Sequence, residues 1–205
     1  GDVRIDPAHF PDAKFLEYVK QFDTDGNGSL SQAELEKVTV IYVLGMGIKD
    51  LTGIEFFPEL KDLDCSENQL TQLDVSKNPN LKRLVCYKNK LTSLDVSGNT
   101  SLTELQCYTN QLTSLNLGEN ANLNKLNCVV NRLTSLDLSG NANLTILSCS
   151  SNLLTSLDVS NNPNLILLDC ERNLLTSLNV SKNTELDTLD CSGNKRSLEL
   201  SDSGR

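Results

Sequence analysis

The chain has 205 residues, a formal net charge of −9, 4% aromatic residues and no tryptophan. That length fits one elongated domain with a small cap and an aliphatic core, and the acidic balance argues against nucleic acid and anionic membrane surfaces as partners. No apolar run is long enough to span a bilayer; no signal peptide is visible, although a start at Gly1-Asp2 rather than Met reads as a mature or trimmed chain whose targeting segment is gone.

In chain order, residues 1–11 form a short lead containing Pro7 and Pro11. Asp12 to Phe22 predicts a helix, with Asp12 as its cap and Phe15, Val19 and Phe22 recurring at i, i+4 and i+7. Residues 23–34 then read DTDGNGSLSQAE. Oxygen-bearing side chains stand at the first, third, fifth, seventh, ninth and twelfth places, and a glycine at the sixth. This closely resembles an EF-hand calcium loop, whose ion requires a dense set of hard oxygen ligands. The resemblance implies a site made by Asp23, Asp25 and Asn27, the Ser29 carbonyl, Ser31 through a water, and a bidentate Glu34. It also implies that Gly28 supplies the sharp turn and Leu30 the small apolar hinge. Ser31-x-x-Glu34 is at the same time a capping box for a short exiting helix, and Glu34 cannot fully serve both uses. The same loop could instead be held by Asx turns with no metal. With one loop rather than a pair, the expectation is a weak, structural Ca²⁺ site suited to millimolar calcium and not a regulatory one.

Val38 to Glu59 looks like a degenerate repeat of 22 residues, with Val38, Ile41, Val43, Ile48, Leu51 and Ile54 as its apolar positions and Met46 where an asparagine is due later. Val40, Tyr42 and Leu44 make this segment apolar on both faces, which predicts either cover by another part of the chain or an exposed patch. Residues 1–37 are expected to cap this open end of a stack.

From Leu60 to Glu185 run six copies of one 21-residue unit, such as LKDLDCSENQLTQLDVSKNPN and LKRLVCYKNKLTSLDVSGNTS, and a partial copy starts at Leu186. Seven leucines (Leu60 to Leu186), all seven cysteines (Cys65 to Cys191) and seven asparagines (Asn68 to Asn194) share one phase. A fixed period without drift predicts a solenoid whose units bury their apolar faces against one another. The consensus LxxLxCxxNxLTxLDVSxNxx resembles the leucine-rich repeat, and its nested halves resemble those of some bacterial repeat proteins. An EF-hand-like segment followed by Gly47-Ile48-Lys49-Asp50-Leu51-Thr52-Gly53-Ile54-Glu55-Phe56-Phe57 extends that resemblance into the cap. Alternation in Asp62-Leu63-Asp64-Cys65-Ser66 points Leu63 and Cys65 inward, so stacked units should pair as a parallel sheet with a second extended face opposite. The family comparison implies that each in-phase asparagine bonds backbone groups of adjacent turns.

The cysteine spacing is no zinc pattern, and in-register neighbours orient poorly for disulfides, which predicts a row of buried thiols acting as small hydrophobes. The row Asp74, Asp95, Asp137 and Asp158 is interrupted in phase by Asn116 and Asn179, so hydrogen bonding rather than charge is its requirement. Single His9 lies in the lead, and no base is placed to activate a serine or threonine. Along the outward face, Asp62, Arg83, Glu104 and Lys125 alternate in sign and should satisfy one another before the row turns apolar at Ile146 and Leu167. A neighbouring row sets Tyr87, Tyr108 and Val129 side by side, with Val130 next to it. These are the candidate contacts for a protein or glycan. After Asn194 the pattern fails: Lys195-Arg196 stands where a leucine is due, and Ser197-Leu198-Glu199-Leu200 follows one residue short.

The expected architecture is an α/β solenoid, a leucine-rich-repeat stack that is mostly parallel β with extended segments on both faces. It has a small α-helical EF-hand-like cap at residues 1–37, eight units over 38–200, the first and last degenerate, and a tail at 201–205. The expected function is non-enzymatic binding or adhesion by a monomeric module of a secreted or surface bacterial protein, with no nucleic-acid partner and no membrane insertion. The alternatives are a substrate-recognition arm of a larger enzyme or a structural spacer.

Overall fold

The computed structural model describes residues 1–202. Its spine is an eight-stranded parallel sheet in which every strand is three residues long. The strands are β3 (Val40–Tyr42), β4 (Asp62–Asp64), β5 (Arg83–Val85), β7 (Glu104–Gln106), β9 (Lys125–Asn127), β10 (Ile146–Ser148), β11 (Leu167–Asp169) and β13 (Thr188–Asp190). Register follows the repeat: Leu63 pairs with Leu84, Leu84 with Leu105, Leu105 with Leu126, and so on to Leu189. Ile41 pairs with Leu63, which confirms the longer first unit.

In the second halves of the units, two short ladders form among the described residues. β6 (Ser93–Asp95) pairs with β8 (Ser114–Asn116), and β12 (Ser177–Asn179) with β14 (Glu199–Ser201). Leu178 pairs with Leu200, so the last unit is one residue longer than the repeat, where the sequence pattern reads as one residue short. Ser201 belongs to that strand, and of the expected tail, residues 203–205 lie outside the described residues.

One continuous core runs through cap and stack. The in-phase leucines from Leu60 to Leu165 and the thiols from Cys65 to Cys170 are fully buried, while Cys191, in the last unit, is half-buried. No disulfide forms among the thiols, and burial pushes the Cys128 and Cys170 thiols up to about 12. Each fully buried leucine contributes roughly 2–3 kcal/mol. Further in-phase rows, such as Leu63 to Leu168 and Leu70 to Leu175, are buried in the same core and add to it.

The two asparagine rows do different work. Asn89 donates from Nδ2 to the Cys86 carbonyl of its own unit and the Cys65 carbonyl of the unit before, while its Oδ1 accepts the Leu70 N–H at 2.9 Å. Asn110, Asn131, Asn152, Asn173 and Asn194 repeat this pattern, so every bonding group of the amide ties one coil to the next. In the second row, Asn99 donates to the Val75 and Asn78 carbonyls, but its Oδ1 is buried without a partner among the described residues. The same holds for Oδ1 of Asn78, Asn120, Asn141 and Asn162.

The cap begins with β1 (Val3–Arg4), which pairs antiparallel with β2 (Ser29–Leu30). α1 (Ala13–Val19) ends in a 3₁₀ turn at Lys20–Phe22, and α2 (Gln32–Glu36) follows the loop. Asp12 caps α1 through Lys14 N–H and Phe15 N–H with one oxygen. With the other it accepts Lys49 N–H at 2.8 Å, fastening the helix to the first coil. Phe10, Phe15, Val19, Leu30 and Leu35 bury the cap core, and Phe10 meets Phe56 edge-on at 5.8 Å. Tyr18 donates no strand, but its hydroxyl accepts Tyr42 N–H at 3.1 Å and so covers part of the edge of β3. Val40, Tyr42 and Leu44 nonetheless stay 40%, 50% and 48% exposed: the apolar outer side of the first unit is an exposed patch and not a covered one. No helix among the described residues is long and apolar enough to cross a membrane.

Candidate functional site

The outer face of the main sheet is assembled by register. Because each strand is in phase with the next, outward residues of successive units form rows, and three rows carry the candidates.

In the first row, Arg83 Nε lies 2.6 Å from Glu104 Oε2 and Nη1 lies 3.3 Å from Asp62 Oδ1. The other Asp62 oxygen accepts the Tyr42 hydroxyl at 2.8 Å, a bond that raises the tyrosine's pKa. The alternation ends there. Lys125, expected as the next member, forms no ion pair among the described residues. Ile146 and Leu167 follow, paired across adjacent strands and half-buried.

In the row that holds the tyrosines, the Tyr87 and Tyr108 rings stack with centroids 4.5 Å apart and planes inclined by 7°. That separation is close to the strand spacing of ~4.8 Å, so the sheet itself sets the stack. Partial burial, then Tyr87, raises the pKa of Tyr108. Ser66, whose row neighbours are Leu44 and Tyr87, is fully buried, and Val85 is nearly so. Val129 continues the row half-buried, and Val130 beside it is 46% exposed.

Val130 belongs to a feature the sequence reading missed. Glu67, Lys88, Thr109, Val130, Ser151 and Arg172 occupy one position in successive units, and all have φ between 51° and 55°. Gly45 and Gly193 hold the equivalent places at the two ends, with φ of 65° and 70°. Left-handed backbone costs an L-residue roughly 1–2 kcal/mol, and β-branched Thr109 and Val130 are the least suited to it. The in-phase glycines at either end were the signal available in the sequence.

In the last units three carboxylates meet. Carboxylate oxygens of Asp169, Glu171 and Asp190 lie within 4.8 Å of one another. Ser192 donates its hydroxyl to Asp190 Oδ1 at 2.7 Å, and the Asp169 and Asp190 side chains also accept the N–H two residues on.

The cap loop brings together three of its six candidate ligands: Asp23, Asp25 and Glu34 place carboxylate oxygens within 4.8 Å of one another. Their oxygens are also the loop's own acceptors. Asp23 takes N–H groups of Gly26, Asn27 and Gly28, and Asn27 Oδ1 takes Ser29 N–H. Glu34 is buried; Oε2 accepts from Ser31 N–H and hydroxyl, completing the capping box, and Oε1 accepts from Thr24. Ser31 N–H first, with Thr24, holds this carboxyl down at about 2 against the opposing effect of burial. The donor set is that of a hard cation, but Asp23, Asp25, Asn27 and Glu34 all accept backbone N–H groups already. β2 lies within the loop and pairs with β1, so the lead strand takes the place a second loop would have held.

Elsewhere, Asp74, Asp95, Asp137 and Asp158 each accept the N–H of the serine two residues on, as Asn116 and Asn179 do from Gly118 and Ser181. Hydrogen bonding is thus what that row shares. His9 lies 2.7 Å from Asp6 and packs on Phe56 of the first unit.

No protein-family model matches the sequence, and no curated protein does. Among solved structures, the functional domain of InlJ from Listeria monocytogenes, described as including a cysteine ladder, is 36% identical with a TM-score of 0.69 over 95% of this chain. This chain spans 48% of that one. Internalin C2 from the same organism superposes with a TM-score of 0.78 at 21% identity, covering 99% of this chain and 91% of its own. A chain of the LRIM1/APL1C complex gives 0.64 at 25% identity over 73% of this chain and 29% of its own. The chain is therefore a leucine-rich-repeat solenoid with a small helical cap, and its structural neighbours include bacterial internalin-type repeat proteins.

Proposed function

We propose that this chain is a non-enzymatic recognition module that presents the outer face of its parallel sheet to a protein partner. Its setting is a secreted or surface-displayed bacterial protein with a role in adhesion, and it acts as a monomer. The observation that carries the reading is the Tyr87–Tyr108 stack with Val129 and Val130 beside it: aromatic and aliphatic groups held in place by a sheet whose register leaves them little freedom. Rigid aromatic anchors lose little entropy on binding, which suits a surface built for contact. The internalin-type neighbours and the presence of a similar repeat fold in the LRIM1/APL1C complex support a protein rather than a small molecule as the ligand.

The test is a protein and glycan array probed with the purified chain, followed by a Tyr87→Ala/Tyr108→Ala double variant on every hit. A protein hit whose binding the variant abolishes, with the circular dichroism spectrum unchanged, supports the reading. Hits that bind the variant equally well remove this surface from the account.

For the cap we propose a weak structural Ca²⁺ site at Asp23, Asp25, Asn27 and Glu34, with the Ser29 carbonyl and Ser31 completing it. Its support is the proximity of the three carboxylates and the spacing of the loop. Isothermal titration should show uptake of one ion at millimolar calcium and none in Glu34→Gln; no uptake by the unaltered chain would remove the site.

A further inference from the structure

An asparagine loses its amide where the next backbone nitrogen can reach its side-chain carbonyl carbon. A side chain on that next residue obstructs the approach, and glycine has none. Asn27 is the only asparagine in the sequence that glycine follows. Exposed asparagines of the stack, such as Asn122 and Asn143, precede leucine. The ladder asparagines are buried and held by two coils: Asn131, followed by Arg132, donates to the Cys107 and Cys128 carbonyls and accepts the Leu112 N–H.

The cap loop offers the opposite setting. Asn27 and Gly28 are both exposed. Gly28 has a φ of 83°, and nothing lies within 4 Å of the place a Cβ would take, so a cyclic imide and the water that opens it have room there. Asn27 Nδ2 donates to Asp25 Oδ2 at 3.0 Å, its Oδ1 accepts the Ser29 N–H at 2.8 Å, and the Gly28 N–H donates to Asp23 Oδ2 at 2.8 Å. All three bonds are solvent-exposed and lie within one loop, with no coil stacked over them, and bonds of this kind open at little cost.

We propose that Asn27 is a site of spontaneous covalent modification, in which a cyclic imide with Gly28 turns its amide into a carboxylate. Gly28 N gives up its proton to hydroxide and attacks Asn27 Cγ. The new N–Cγ bond replaces Cγ–Nδ2, and Nδ2 leaves as ammonia after taking a proton from water. Water then opens the imide. Breaking the N–Cγ bond gives aspartate at position 27. Breaking the bond from Gly28 N to the main-chain carbonyl carbon gives isoaspartate, whose backbone runs through the former side chain.

Either product removes the donor to Asp25 and places a negative charge beside it. Without a cation, that charge is repelled by Asp23 and Asp25 and loosens the loop. With one, an aspartate at 27 adds to the ligand charge that sets calcium affinity. This last consequence rests on the calcium reading of the cap; the modification does not.

The test incubates the whole chain in mildly alkaline buffer, with and without millimolar calcium, and follows it by tryptic digestion and mass spectrometry with fragmentation. A synthetic peptide of residues 21–37, the tryptic fragment that holds Asn27, runs in parallel and gives the rate of the unstructured sequence. The expected result is the mass gain of an amide-to-acid exchange at Asn27 ahead of every other asparagine, absent in Asn27→Gln and slowed by calcium. Asp25-Gly26 can pass through the same kind of imide but gains no mass, so the two sites are told apart. A folded chain that keeps Asn27 intact while the peptide converts, or that converts another asparagine first, would overturn the proposal. Conversion at Asn27 that calcium does not slow, with Asn27→Asp taking up calcium no more tightly than the parent in isothermal titration, would support the modification and count against the calcium reading.

Discussion

Asn131→Ala should destabilise the fold by about 4 kcal/mol, and Asn162→Ala by about half as much, although both residues are buried asparagines of the same repeat. Asn131 donates to the Cys107 and Cys128 carbonyls at 3.1 and 3.0 Å and accepts the Leu112 N–H at 3.0 Å. Truncation leaves these three buried backbone groups without that partner, at about 1–1.5 kcal/mol each. Asn162 donates to Leu138 and Asn141 at 3.1 and 2.9 Å, but its Oδ1 is already unpaired. Its removal costs two bonds and relieves one buried, unsatisfied acceptor, which brings the loss to about 2 kcal/mol. Urea unfolding followed by circular dichroism, with the slopes compared to confirm a shared mechanism, measures both. Equal losses, or a loss under about 1 kcal/mol for Asn131→Ala, would refute the assignment of distinct roles to the two rows.

Three further outcomes follow from the same structure. Under native conditions a thiol reagent should modify Cys191 alone, with the six buried thiols reacting only after unfolding; two or more intramolecular disulfides in non-reducing mass spectrometry would contradict the thiol row. Glu34 titrates lower in the folded chain than in the unfolded one, so its contribution is present above the ordinary carboxylate range of about 4.5 and is lost as pH falls toward about 2. Cap stability, read by hydrogen exchange in α1 and α2, should drop across that window and drop less steeply in Glu34→Gln; identical slopes would exclude the capping carboxylate as the cause. Gly53→Ala should destabilise by at least about 2 kcal/mol, because φ there is 111° and an added Cβ would overlap the Phe10 ring and the His9 carbonyl. A thermal midpoint unchanged from the parent would show that the cap does not dock as described.

Much of this was legible in the sequence, and the reason is repetition. Leucines and cysteines recurring every 21 residues fix the inward rows, because a one-residue slip would turn every side chain to the other face. The cap helix and its Asp12 cap were equally readable, since capping is a local matter. Other features depend on what lies across space. Nothing near Tyr18 shows that its hydroxyl reaches Tyr42 N–H, or that the second Asp12 oxygen holds the first coil. Val3 and Arg4 carry no local strand signal; they are a strand only because Leu30 and Ser29 lie opposite. The two asparagine rows look alike in the repeat, and only stacking shows that one amide is fully used and the other half used. Lys125 has the right sign and phase for the charged row, yet charge pattern alone did not make it a partner of Glu104. The sheet-face candidates were found by phase, and the left-handed position beside them was passed over because glycine marks it only in the end units.

Every one of these statements depends on coils that stack in register, and one distance tests that most directly. Lys77 and Lys182 are exposed, occupy the same place in the repeat, and lie five units apart. Spin labels at Lys77→Cys and Lys182→Cys in a Cys191→Ala background should give one narrow electron–electron distance near 24 Å, five intervals of ~4.8 Å. A broad distribution, or a single distance more than about 10 Å from that value, would contradict the in-register stack.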